Sequence, residues 1–166
     1  EYIKELHDEL FVIFNKLFDE GNFKFINESP VGPFHGDFCL SNILYDEKCN
    51  EFVLIDPRGD VQLPLCLDLA KLSHSLSGCY DIILSDSYSI QVNRNGLSII
   101  LDKKSYYENM ITDIIESVGI HDINDIKLLE AYLFYTMLIF HIDNIERCLA
   151  FLIVSRDYLK YLGFYK

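Results

Sequence analysis

Asp37, Asn42 and Asp56 are the residues whose types and spacing could do chemistry. The first two lie in Phe34-His-Gly-Asp-Phe-Cys-Leu-Ser-Asn-Ile-Leu-Tyr-Asp46, the third in Phe52-Val-Leu-Ile-Asp-Pro-Arg-Gly59. Phosphoryl transfer needs a carboxylate that orients the attacking hydroxyl and accepts its proton. It also needs hard oxygen ligands for the magnesium that bridges nucleotide phosphates. Asp37 fits the base, and Asn42 with Asp56 fits the metal ligands.

The elements around these residues must bring them together. His35-Gly-Asp37 neither continues a strand nor opens a helix, which places it in a loop. Asn42-Ile-Leu-Tyr45 and Phe52-Val-Leu-Ile55 read as short apolar strands, and Asp46-Glu-Lys-Cys-Asn50 between them is turn-like. The resulting hairpin, about 43–56, brings Asn42 at one strand's start near Asp56 at its partner's end. Asp-Pro-Arg-Gly is an ordinary turn when taken alone, because Pro presets φ and Gly tolerates positive φ. The conjunction of both turns, in this order and joined by a hairpin, carries the reading.

The spacing Asp-x-x-x-x-Asn resembles the catalytic loop of protein kinases, His-Arg-Asp-x-x-x-x-Asn, with a metal-binding Asp following on a hairpin. Gly36 in place of Arg, and Asp-Pro-Arg-Gly in place of Asp-Phe-Gly, look more like the aminoglycoside phosphotransferase/choline kinase family. The resemblance covers residues 30 to 80 closely and the later helices in general character. It implies that His35 holds the catalytic loop in shape and that Asp68, on the following helix, braces that loop. It implies ATP and Mg2+ as cofactors, with Asn42 and Asp56 on the metal. Arg58 replaces the usual aromatic after the metal-binding Asp, and is placed to touch phosphate, acceptor or only the loop.

The rest of the chain reads as mainly helical α+β, the C-terminal lobe of a protein-kinase-like fold in a single domain. Residues 3 to 19 carry apolar side chains at spacings of three and four, an amphipathic helix. A second helix covers 65–76, with Asp68 also explicable as a first-turn acid favoured by the helix dipole. Residues 88–101 form another hairpin about Asn93-Arg-Asn-Gly96. Asp102 can cap a helix from 103 to Val118; Asn124 or Asp125 starts a longer one through about 142; a last helix spans about 144–162. The last two are apolar around much of their circumference and form a buried floor that includes His141. The short hairpins pack on this helical bundle.

The chain has 166 residues, half of them hydrophobic, with a net charge of −12. That balance argues against nucleic acid and anionic membrane surfaces as partners, since both need Lys/Arg clusters. The most apolar run, Leu133–Ile142, is too short to span a membrane. Five Cys without a CxxC pair read as reduced thiols of a cytoplasmic protein, and five His (7, 35, 74, 121, 141) without a ligand-spaced pair argue against a zinc site. Asn27-Glu-Ser29 and Arg58-Gly-Asp60 match a glycosylation and an adhesion tripeptide only by chance.

No Gly-x-Gly-x-x-Gly occurs, and the catalytic stretch arrives too early for a nucleotide-binding lobe to precede it. The expectation is a catalytic lobe of a longer, ATP-dependent small-molecule kinase. Its acceptor would be a hydroxyl of a sugar, amino alcohol or aminoglycoside-like molecule, and its partners the missing N-terminal lobe or a second copy of itself. The alternative is a non-catalytic kinase-like scaffold domain, linked to bacterial surface-polysaccharide synthesis. A metal-dependent phosphoesterase built on His35, Asp37 and Asp56 fits less well, because such sites recruit several His.

Overall fold

Leu6, Leu10, Phe14 and Leu17 recur every three or four residues and form the buried stripe of α1 (Tyr2–Asp19). The structure, a computed structural model, describes residues 1–58, 61–93, 96–102, 109–119 and 122–166. Gly59 and Asp60, the turn residues Arg94 and Asn95, the expected helix start at 103, and His121 lie outside them.

The architecture is α+β and mainly helical, with its strands confined to short antiparallel pairs. After α1 come α2 (Phe25–Glu28), β1 (Val31–Pro33), a 3-10 turn (Leu40–Asn42), β2 (Ile43–Asp46), β3 (Glu51–Leu54) and β4 (Gln62–Pro64). Then follow α3 (Cys66–Leu76), α4 (Tyr80–Leu84), β5 (Tyr88–Asn93), β6 (Gly96–Leu101), α5 (Met110–Val118), α6 (Ile123–Thr136) and α7 (Ile145–Tyr161). Both expected hairpins form: Ile43 faces Leu54 and Asp46 faces Glu51, while Tyr88 faces Leu101 and Asn93 faces Gly96. A third pair lies outside the elements read from the sequence. Val31 pairs with Pro64 and Pro33 with Gln62, so the chain enters and leaves the candidate loop side by side.

Asp102 follows β6 and donates its N–H to the Ser87 carbonyl at 3.0 Å; the expected helix start behind it lies outside the described residues, and α5 is described from Met110 behind Asn109. Helix boundaries depart from expectation at two places. Asp122, rather than Asn124 or Asp125, caps α6 by accepting from the Asn124 N–H at 2.7 Å. The expected long helix through 142 stops at Thr136 and tightens into a 3-10 turn, Met137–Phe140. Apolar composition alone does not separate a helix from a 3-10 turn at a chain reversal. Here the Asn144 N–H bonds to the His141 carbonyl at 2.9 Å, and Asn144 then caps α7. Among the described residues no helix is long and apolar enough to cross a membrane.

α3 packs on α6, and α6 on α7; in these two helices Ile126, Leu129, Phe134, Phe151, Leu152 and Ile153 are buried. One carboxylate lies in this floor. Glu130 is fully buried and accepts hydrogen bonds from the Ser73 hydroxyl and from the Tyr158 hydroxyl, the latter at 2.7 Å. A Cβ on Gly78 would collide with the Glu130 carboxylate and the Phe134 ring, so glycine is required beside it. Burial pushes the Glu130 carboxyl up to about 7, against the opposing pull of the Ser73 and Tyr158 hydrogen bonds.

The protonated form of Glu130 is the one the interior favours. Its contribution to stability is full below the ordinary carboxyl value of 4.5 and is lost as pH rises through about 7, a loss of ~3 kcal/mol. Melting temperatures at pH 5 and pH 8 should therefore differ by more in the native protein than in Glu130→Gln; the same difference in both would refute this. Gly78→Ala should cost ~1–3 kcal/mol in urea unfolding, through the collision at its Cβ.

Candidate functional site

The loop after β1 has no regular partner for its backbone, and α3 supplies one. Asp68 accepts the His35 N–H at 2.7 Å and the Gly36 N–H at 3.0 Å. Both bonds are charge-assisted, the stronger class. Gly36 has φ of +81°, and a Cβ there would lie 2.8 Å from Arg58 Cβ, so the tight approach of the following strand's exit requires glycine. Arg58 in turn donates its N–H to the His35 carbonyl at 2.7 Å. The His35 ring is buried, and its Nδ1 accepts the Asp37 N–H at 3.3 Å, which leaves the ring proton on Nε2. Farther along, the Leu40 N–H is taken by the Ser75 hydroxyl at 3.0 Å.

This scaffold joins Asp37 to Asn42. Asn42 closes the 3-10 turn and is buried, and its Nδ2 donates to the Asp37 carbonyl at 2.8 Å and to Asp37 Oδ2 at 3.3 Å. The Ile55 N–H bonds to the Asn42 carbonyl at 3.0 Å, which extends the hairpin to the residue before Asp56. Asp56 is exposed, with φ of +56°, and its carboxylate has no partner among the described residues. Of the three side chains expected to converge, two are hydrogen-bonded to each other; the third is tied to them by backbone alone. Among the described residues no group of three His, Cys, Asp or Glu is placed to hold a metal ion. The donors present are the Asn42 amide oxygen, left over once its nitrogen faces Asp37, and the Asp56 carboxylate, both hard oxygens suited to magnesium.

Two cations flank Asp37. Lys71 Nζ lies 3.3 Å from Oδ1, and an Arg58 guanidinium nitrogen lies 3.7 Å from Oδ2. Arg58 therefore touches the loop carboxylate, one of the three contacts open to it from the sequence. The Lys71 contact was not anticipated. Its signal was the spacing from Asp68, three residues on the same helix, which puts both side chains on one face. Tyr80 of α4 stands near the same carboxylate. Burial pushes its phenol up to about 12, with the Asp37 and Cys39 charges adding to the shift, so the group stays a neutral donor. On the other side of the loop an apolar cleft of about 490 Å³ is lined by Pro33, Phe34, His35, Phe38, Leu54 and Pro57. Cys39 is buried, its Sγ 3.2 Å from the Ser41 hydroxyl.

No protein-family model matches the chain, and neither a curated protein nor a solved structure does. What the site does therefore rests on its own geometry.

Asp68→Asn keeps the shape of the side chain but turns an amide towards one of the two loop N–H groups. The expected cost is ~2 kcal/mol, with faster hydrogen exchange at the His35 and Gly36 amides. Unchanged exchange at those two amides would show that the loop does not depend on the carboxylate.

Proposed function

We propose that this chain is the catalytic lobe of an ATP-dependent phosphotransferase acting on a hydroxyl of a small molecule, with a fold of the aminoglycoside phosphotransferase/choline kinase kind. The observation that carries the reading is the Asn42 amide held against Asp37, 2.8 Å to its carbonyl and 3.3 Å to its carboxylate, on a loop braced by Asp68. In this reading Asp37 orients the acceptor hydroxyl and takes its proton as the phosphoryl group is transferred. Asn42 and Asp56 would hold magnesium, which when bound neutralises the charge on the nucleotide phosphates. His35 shapes the loop by accepting the Asp37 N–H, and Asp68 fixes the two amides before it. Arg58, 64% exposed, would turn from Asp37 to a phosphate, for which its planar fork is suited.

The nucleotide would be enclosed by a second lobe. The β2–β3 hairpin offers a surface for one, since Tyr45, Phe52 and Leu54 stand exposed on one of its faces. A cytoplasmic setting fits both the ATP and the five cysteines, none of which is in a disulfide.

The roles separate in mutation. In the full-length protein, Asp37→Ala should lower turnover by on the order of 10²–10⁴ while leaving nucleotide affinity in place. Asp56→Ala should weaken manganese–nucleotide binding itself by about tenfold or more, read by calorimetry. Small and equal effects of both substitutions would remove the assignment.

A further inference from the structure

The ion pair between Lys71 and Asp37 has no part in the reaction drawn above. Lys71 lies three residues beyond Asp68 on α3, so the helix that holds the loop backbone also delivers an ammonium to the loop's carboxylate. The Lys71 side chain is 16% exposed, and its Nζ is 3.3 Å from Asp37 Oδ1. Asp37 Oδ2 is shared by the Asn42 amide at 3.3 Å and by Arg58 at 3.7 Å, the latter from a side chain that is 64% exposed. Each carboxylate oxygen thus has its own partner. The Arg58 contact is open to solvent and screened by it, whereas Lys71 is sheltered and carried on a rigid element.

Resting on the phosphotransferase reading, we propose that Lys71 is a positioning residue that acts through Asp37 and restricts the class of acceptor. It fixes the carboxylate's orientation towards the incoming hydroxyl. It also stands where a cationic group of an acceptor would pair with that carboxylate. An ammonium beside the reacting hydroxyl would meet the Lys71 charge and find Asp37 already compensated. The acceptor is therefore a neutral or anionic polyol, such as a sugar, and not an amino alcohol. The acidic surface of the chain, with net charge −12, does not alter this, because the charges in direct contact with the reacting position decide it.

The test has a binding arm and a turnover arm. Proton–nitrogen correlation spectra of the lysine ammonium groups in this chain should show a slowly exchanging Lys71 signal that disappears in Asp37→Asn. In the full-length protein, radiolabelled ATP is then offered with inositol, glycerol and a hexose on one side, and choline, ethanolamine and kanamycin on the other. Label should pass to a polyol and not to the ammonium-bearing compounds. Lys71→Met should lower kcat on that polyol by ~10–100-fold with manganese–nucleotide affinity unchanged, and Lys71→Arg should restore much of it. Absence of the Lys71 signal, an unaltered kcat in Lys71→Met, or equal loss in Lys71→Arg overturns the positioning role. Label on an amino alcohol or aminoglycoside, or on no polyol, overturns the acceptor class. Absence of nucleotide binding by the unsubstituted protein, with the Lys71 signal intact, sinks the phosphotransferase reading and the acceptor class with it, while the pairing stands.

Discussion

The Asp68 carboxylate, accepting the adjacent N–H groups of His35 and Gly36, is the interaction on which the site depends. A loop of this kind has no ladder into which its backbone can bond, and a buried amide without a partner costs about 1–3 kcal/mol. With the two amides fixed, the remaining contacts follow in order. Gly36 takes its left-handed φ, the His35 carbonyl becomes the anchor for the Arg58 N–H, and the His35 ring turns its Nδ1 to the Asp37 amide. Asp37 is then presented at a fixed place to Asn42 and Lys71.

The brace is only as rigid as α3, and α3 is held from two sides. Asp68, Lys71 and Ser75, at helical spacing, face the loop: two amides, a carboxylate and a further amide are their partners. Ser73 looks the other way, to Glu130 in the floor of α6 and α7. A helix with work on both faces has no solvent stripe, which is why its residues are buried nearly throughout. The buried carboxylate of Glu130 also couples this packing to pH, since its proton is retained by the interior and shared contacts with Ser73 and Tyr158 orient it.

The strand pairs play a different part. β1 and β4 close the neck of the excursion that carries every candidate residue before α3. The β2–β3 hairpin carries Asn42 and Asp56 at its open end, and it leaves Leu44, Tyr45, Phe52, Val53 and Leu54 about half or more exposed. The side of the site that holds Asp37 is thus packed and braced, while the side that holds Asp56 is tied only through backbone. Asp56 takes a left-handed conformation, which Asp adopts more readily than most residues, and its side chain has no partner among the described residues.

What the sequence by itself determined is local. Apolar runs and turn residues defined the two hairpins, spacing defined α1, apolar composition defined α3 and α7, and Asp37 with Asn42 lay close enough in the chain for one turn to join them. Asp68 was legible as a carboxylate out of place in an apolar helix. The tertiary structure decided the rest. The β1–β4 pair joins residues about thirty apart, both strands ending in Pro, and no local propensity announces it. The 3-10 turn ending α6 is set by where α7 must return, not by the apolar run that crosses it. The Lys71 contact depends on which face of α3 meets the loop, and the exposure of Asp56 on what covers the hairpin. Propensity and spacing act between neighbours along the chain, whereas a charge is paired or left bare only by what folding brings alongside it.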